Sequence, residues 1–474
     1  MTGDAPAGSD SSAASLRRTA LTVSMLSAFL TPFMASSMNV AMPFIGKEFG
    51  LGAVTLSWVL TAYILAAAML LVPFGRLADL VGRKRIFALG LGFDIAGAAI
   101  GALAPSEFLL ILARVVQGVG GAMIFGTGVA ILTSVFPPQA RGRALGLNTA
   151  ATYTGLSLGP VLGGFIVHAL GWRSVFLATI PIAATALGLT AFRLKGEWAD
   201  ARGEGFDLAG TGVFGAGLVS LMYGFSRLPS PLGLLLTAAG ALALAGFVAF
   251  ELRVRSPLLD LRLFRDNRIF AFSNLAALIN YSSTWAVSFL LSLYLQYIKG
   301  LPPQQAGLIL VAQPVVMALS SPAAGRLSDR SEPRLIASLG MSLTAVALLV
   351  FGFLRPGTPF PILIVGLAVL GLGFGLFSSP NTNAVMGSVD RRAYGVASAT
   401  LGTMRLTGQM FSAGVTMMLF SLFLGRSPIV PDLYPVFLAA VRSAFVLYAL
   451  LCAIGVFASL ARGERGLKTA PPCS

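Results

Sequence analysis

The feature that most constrains this chain is a series of long apolar runs almost empty of charge. Leu109 to Phe136 carries one charged residue, Arg114, and Ile336 to Leu354 carries none. An α-helix needs about 20 residues to cross roughly 30 Å of hydrocarbon, and runs of that length recur along the sequence. A membrane-spanning β-barrel would instead show alternating segments of about ten residues, and these runs do not alternate. Composition agrees: 56% of the residues are hydrophobic and 11% charged, against about a quarter charged in a soluble domain. The sequence predicts an all-α membrane protein.

The runs place fourteen helices. Helices α1 to α7 are expected at about 19–44, 54–74, 86–104, 108–136, 143–168, 174–193 and 208–225. Helices α8 to α14 follow at about 231–250, 269–295, 305–324, 335–354, 360–380, 395–424 and 435–461. Met1 to Ser15, rich in Gly, Ala and Ser, reads as a disordered tail. The run after Arg17 and Arg18 is too long for a signal-peptide core, so it reads as an uncleaved first helix.

Basic residues sort to alternate loops. One set holds Arg83, Lys84, Arg85, Arg141, Arg143, Arg193, Lys195, Arg202, Arg253, Arg255, Arg262, Arg265 and Arg268. It continues with Arg326, Arg330, Arg334, Arg391, Arg392, Arg462, Arg465 and Lys468. The other set holds only Lys47, Arg173, Arg227, Lys299, Arg355 and Arg426. The positive-inside rule puts the first set, and with it both termini, in the cytoplasm, as expected for a multi-pass protein of a bacterial inner membrane. The same distribution accounts for the net charge of +15. Nucleic acid, which calls for a soluble basic face, is not an expected partner. Cys452 lies in the last apolar run and Cys473 in the tail, so no structural disulfide is expected.

The sequence also repeats itself. Gly75-Arg-Leu-Ala-Asp79 returns as Gly325-Arg-Leu-Ser-Asp329, and Arg143-Ala-Leu-Gly146 returns as Arg392-Ala-Tyr-Gly395. The expected organisation is a tail at 1–18, a six-helix bundle at 19–194 and a two-helix insert with linkers at 195–268. A second six-helix bundle at 269–461 and a tail at 462–474 complete it.

Three motifs carry more specific information. Gly75-Arg-Leu-Ala-Asp-Leu-Val-Gly-Arg-Lys-Arg85, which contains Asp79, Gly82, Arg83 and Lys84, closely resembles the signature loop of the major facilitator superfamily. The resemblance implies two facing six-helix halves and a conformational latch. In that latch the acid accepts hydrogen bonds near a helix N-terminus, and the basic residues meet neighbouring helices and anionic lipid. Arg114-Val-Val-Gln117-Gly118-Val-Gly-Gly121 resembles the superfamily's intramembrane arginine motif, linked there to proton transfer. A charge at that depth is costly unless paired. The purely structural alternative is an arginine that holds α1 and α4 together. Gly155-Leu-Ser-Leu-Gly159-Pro160-Val-Leu-Gly163-Gly164 in α5 looks like the antiporter motif of exporters. Its glycines permit close helix approach and its proline permits a bend.

Further segments resemble the fourteen-helix drug:proton antiporter branch. They are Asn39-Val-Ala-Met-Pro43, Trp58, Tyr63, Gly171-Trp-Arg173, Phe206-Asp207, Pro257 to Phe264, Tyr294-Leu-Gln296 and Arg405. One departure stands out: where the branch has an aspartate five residues before Asn39, this chain has Met34. The usual ground for expecting cationic substrates is thereby weakened.

Asp94, about midway along α3, is the one acid away from loops and helix ends. It is a proton-coupling candidate, against the alternatives of pairing with a polar neighbour or packing in an oligomer on a peripheral helix. His168, the sole histidine, is a weaker candidate beside a reading as a solvated helix end. By analogy with the fold, the cavity is lined from α1, α4, α9 and α12. Candidates are Phe29, Phe33, Met34, Met38, Asn39, Asn280, Tyr281, Trp285, Asn381 and Asn383, with Gln313 and Arg405 secondary. Some of these are expected to pack between helices instead.

No convergent catalytic set or metal-ligand cluster is visible, which argues against an enzyme. No phosphate-cradling Gly-x-x-x-x-Gly-Lys-Ser/Thr loop occurs, so neither a cofactor nor ATP is expected. A receptor would carry an output domain, and neither tail is long enough. The expectation is a monomeric, proton-driven exporter of small, largely apolar molecules, with protons, the substrate and membrane lipid as its partners. The alternative is a facilitator of one neutral or anionic solute.

Overall fold

A computed structural model describes residues 7–199, 206–253, 262–389, 394–425 and 427–463. Arg202, Arg255, Arg391, Arg392, Arg426, Arg465, Lys468, Cys473 and most of Pro257 to Phe264 lie outside them, as do the side chains of Arg262, Asp329 and Arg330. Fourteen helices are long and apolar enough to cross a membrane. They are α1 (Ala7–Phe49), α2 (Ala53–Val81), α3 (Arg83–Ala102), α4 (Glu107–Val135), α5 (Pro138–Leu170), α6 (Arg173–Phe192) and α7 (Leu208–Arg227). Then come α8 (Pro231–Glu251), α9 (Arg268–Ile298), α10 (Pro303–Ser328), α11 (Pro333–Phe351), α12 (Phe360–Gly387), α13 (Tyr394–Phe423) and α14 (Tyr434–Leu460).

Several helices outrun their apolar stretches. α1 begins at Ala7, inside the segment expected to be a disordered tail. Its Ala- and Ser-containing sequence tolerates helix, and it is continuous with the apolar run. α2 and α12 likewise continue through polar residues to Val81 and Gly387, because helix propensity does not stop where hydropathy does.

Helix α9 is interrupted after Thr284 and ends in a π-helical turn, Tyr294–Ile298. The break is held from outside: the Ala286 amide donates to Ser412 Oγ of α13 at 3.1 Å. Irregular backbone at membrane depth survives only where other protein groups satisfy it.

The first six helices pack on one another, α1 against α5, α2 and α3 against α4, and α3 against α6. The last six do likewise, α10 and α11 against α12, and α9 against α13. The insert pairs α7 with α8, and α7 reaches both halves. Gly215 lets it approach Met69 of α2, while its Met222 lies against Gly414 of α13. Asp207 Oδ1 caps α7 by accepting from the Gly210 amide at 2.8 Å. The Gly171-Trp-Arg173 turn clasps the end of α1: Trp172 Nε1 donates to Glu48 at 2.7 Å, and Arg173 pairs with the same carboxylate at 2.7 Å. Cys452 is a buried free thiol beside the Met341 carbonyl.

Candidate functional site

The end of the bundle that carries Arg83, Arg141, Arg253, Arg334 and Arg462 is termed the basic end. There Gly82, at φ 126°, makes the turn between α2 and α3, a backbone region that glycine alone enters without strain. Asp79 accepts from Arg83 Nε at 2.8 Å, and Arg83 Nη1 reaches Ser134 Oγ of α4 at 2.7 Å. Gly75 sits against Gly126 of α4.

A residue that the motif does not include completes the loop. Glu197, beyond α6, accepts from the Lys84 amide at 2.9 Å and faces Arg85 at 3.7 Å. The Arg83 amide donates to the Trp198 carbonyl at 2.9 Å. Glu197 therefore caps the first turn of α3, where orphan amides and the helix dipole favour an anion. Its only sequence signal is an acid in a basic loop. Glu197→Ala is expected to cost about 1 kcal/mol, the usual value of a helix cap, read as a lowered melting temperature in detergent. An unchanged melt would remove Glu197 from the latch.

Deeper in the same half, Arg114 is 1% exposed. Its Nε donates to the Val59 carbonyl at 3.1 Å, its Nη1 to Gln117 Oε1 at 2.6 Å, and its guanidinium lies 4.6 Å from the Tyr63 ring centroid. The structural role foreseen for it joined α1 to α4; the contacts join α2 to α4 instead. Gly118 and Gly121 strip that face of α4, so that a Cβ on Gly118 would fall 2.4 Å from the Tyr63 carbonyl oxygen. The arginine therefore meets α2 first. Gly120 likewise admits the backbone of α3 at Gly90 and Asp94. Asp94 is half-buried and lies within electrostatic range of Arg114 and Tyr63. Arg114 and Tyr63 are in contact, while Asp94 of α3 acts on them only at longer range, with no hydrogen bond or ion pair to either among the described residues. His168 is exposed in the last turn of α5, as a solvated helix end would be.

The α5 motif touches two partners. Toward α1, Gly155 faces the Phe29 carbonyl, Gly159 faces Ser36, and Gly163 faces Ser37, whose hydroxyl donates to the Gly159 carbonyl at 2.9 Å. Toward the second half, a Cβ on Gly164 would fall 2.7 Å from the Pro303 carbonyl oxygen, and one on Gly307 2.0 Å from that of Pro160. The contact belongs to a seal between the halves at the end opposite the basic one. Ser292 Oγ donates to the Asn39 carbonyl at 2.7 Å, Gln296 Nε2 to that of Val40 at 3.1 Å, and the Ala53 amide to that of Ser427 at 3.3 Å.

The cavity candidates divide. Phe33, Met34, Met38, Asn280 and Asn381 are buried, and both methionines pack in the principal apolar core. Phe29, Asn39, Tyr281, Trp285, Gln313, Asn383 and Arg405 are half-buried. Phe29 stacks on Phe33 at 5.4 Å, Gln313 Oε1 accepts from Ser288, and Asn383 donates to Ser328. Arg405 Nη2 donates to Thr382 Oγ1 at 2.7 Å and faces the Tyr281 ring at 5.7 Å. Tyr153 of α5 shares a hydrogen bond with Ser321 of α10 at 3.3 Å and so brings the first half to this group. Sequence reasoning passed over Tyr153, Ser321 and Thr382, because isolated hydroxyls in apolar helices carry no pattern.

The sequence model of the Major Facilitator Superfamily matches residues 24–250 and 274–472. The riboflavin transporter RibZ of Clostridioides difficile is 31% identical over 81% of this chain and 84% of its own length. The multidrug resistance protein Stp of Mycobacterium tuberculosis is 32% identical over 82% of this chain and 73% of its own. The fold is shared with the crystal structure of a bacterial homolog of the human lysosomal transporter Spinster, in an inward-facing and unoccupied conformation. That likeness has a TM-score of 0.68 at 17% identity and covers 97% of this chain and 98% of the other.

Proposed function

The chain belongs to the major facilitator superfamily, a family of non-enzymatic transport proteins, and from that premise we propose that it exports small, largely apolar compounds in exchange for protons. The observation that carries this reading is the placement of the α5 motif. The stretch that resembles an antiporter motif lies both on α1 and in the inter-half seal at Pro160 and Gly307. A glycine-lined helix there lets the halves close tightly, and the proline lets them part. The name of the multidrug relative supports export of varied compounds; that of the riboflavin relative supports a more defined solute.

The basic end is assigned to the cytoplasm by loop charge, which makes the sealed end external. Substrate enters from the cytoplasm, the halves rock against each other, and the seal opens outward. The protein works as a monomer in the bacterial inner membrane and needs no cofactor, the proton gradient being its energy source. The coupling role falls to the cluster of Asp94, Arg114 and Tyr63. A proton on Asp94 changes the net charge facing Arg114, and that change biases one packing of α2, α3 and α4 over another.

The test is substrate-driven proton movement in proteoliposomes, with the natural protein beside Asp94→Asn. Proton movement in the natural protein that falls at least tenfold in the variant, while substrate still binds, is the expected result. Proton movement equal in the two would clear Asp94 and leave antiport to other groups. Transport of one solute indifferent to any pH gradient would sink antiport altogether and favour a facilitator, the reading that Met34 in place of an acid supports.

A further inference from the structure

We propose that the preferred substrates are organic anions, an aromatic or apolar body bearing a carboxylate or similar oxyanion, and that Arg405 receives the acidic group. This deepens the export reading and rests on it only for the direction of movement.

Arginines well inside the helices differ in how their donors are used. Arg114 is satisfied by the Val59 carbonyl, Gln117 and the Tyr63 face. Arg442 of α14 donates Nε to the Gly352 carbonyl at 3.2 Å. Arg405 gives one hydrogen bond, to the Thr382 hydroxyl, and its buried Nε has no acceptor among the described residues. No ion pair with Arg405 occurs among the described residues either. A guanidinium carries five donors in a planar fork, and a buried donor without an acceptor is costly. An oxyanion held by two parallel bonds relieves that cost.

The surroundings fit the rest of such a ligand. Arg405 lies about 16 Å along α13 from Tyr394, near mid-membrane. Tyr281 stands beside it and meets Phe374 edge-on at 5.2 Å. Tyr153 comes from the opposite half, within electrostatic range of Arg405. An aromatic body thus has walls from both halves while its acid sits on the guanidinium. A cation at the same place would face a like charge with no carboxylate paired to it among the described residues. Met34, where the branch has an acid, is 5% exposed and packed in the core, and Asp94 belongs to α3, which packs behind α4. Repulsion of the wrong charge contributes to selectivity as much as attraction of the right one.

The experiment is dye binding by fluorescence polarisation to purified protein in detergent, where no gradient or coupling enters. Two xanthenes of similar shape serve as probes, anionic fluorescein and cationic rhodamine 6G. The natural protein is expected to bind fluorescein at least tenfold more tightly, Arg405→Gln to abolish that preference, and Arg405→Lys to retain part of it. Equal or tighter binding of rhodamine 6G overturns the proposal. So does an Arg405→Gln variant that melts normally and weakens both dyes alike. A second measurement needs no variant: salicylate must displace bound fluorescein at lower concentration than the neutral salicylamide, and equal potency also overturns it. Anion preference without proton movement in liposomes would refute antiport and leave this assignment standing.

Discussion

Gly307→Ala is expected to slow transport at least tenfold and to unlock the seal opposite the basic end. The reason is distance. The added Cβ would lie 2.0 Å from the Pro160 carbonyl oxygen, a backbone atom that no side-chain rotation can move aside. α5 and α10 must separate by about an ångström or more, and overpacking of this kind costs about 1–3 kcal/mol. In the proposed cycle this contact parts when the halves open at that end, so the cost falls on the closed conformation. A bias of that size alters the balance of two states by roughly 5- to 150-fold. The measurement is labelling of Ser292→Cys, in a background lacking Cys452 and Cys473, by a membrane-impermeant maleimide. Ser292 is fully buried in the seal, so labelling should be slow with Gly307 and at least fivefold faster with alanine. Gly402→Ala is the control. Its added Cβ meets only Leu71 Cδ2 at 3.7 Å, an ordinary contact. Equal labelling in both variants would mean that the α5–α10 contact does not govern opening.

The fold was legible because the bilayer imposes a length rule that few other environments do. Each of the fourteen apolar runs became a helix, and apart from α9 the discrepancies lie at ends where polar residues prolong it, as at Ala7 and Val81. The interruption of α9 was not legible. Residues 269–295 read as one apolar run, and the break is held by a hydroxyl of Ser412, 126 residues away from the amide it receives. The site divides along the same line. Motifs confined to one segment, such as the turn at Gly82, could be read directly. The approach of α3, which carries Asp94, to the helix that carries Arg114 depends on glycines of α4 that admit α2 and α3 together, and no local pattern announces it. Glu197 was invisible for the same reason. Among the cavity candidates, polarity and aromaticity do not say which face of a helix a residue takes, so Asn280 and Met38 are fully buried while Tyr281 and Arg405 are not.

The second large effect concerns Arg114. Arg114→Ala is expected to lower the yield of folded protein sharply, with a loss of about 3–5 kcal/mol, the range for truncating one member of a buried charged network. Three losses coincide. Gln117 Oε1 loses its donor at 2.6 Å, the Tyr63 face loses its cation, and a cavity opens between α2 and α4. Arg114→Lys should recover only part of this, because an ammonium is a compact point donor. It does not reproduce a planar fork that reaches Val59 and Gln117 together. Tyr63→Phe should be mild, since the ring that faces the guanidinium remains and only the hydroxyl goes. The order of melting temperatures in detergent is therefore natural protein, Tyr63→Phe, Arg114→Lys, Arg114→Ala. Transport separates structure from coupling within this series. Should Arg114→Lys retain near-natural stability yet fail to move protons, Arg114 acts in coupling beyond joining α2 to α4. Stability and proton movement that fall in proportion across the series would confine it to the packing role and leave Asp94 as the group that titrates.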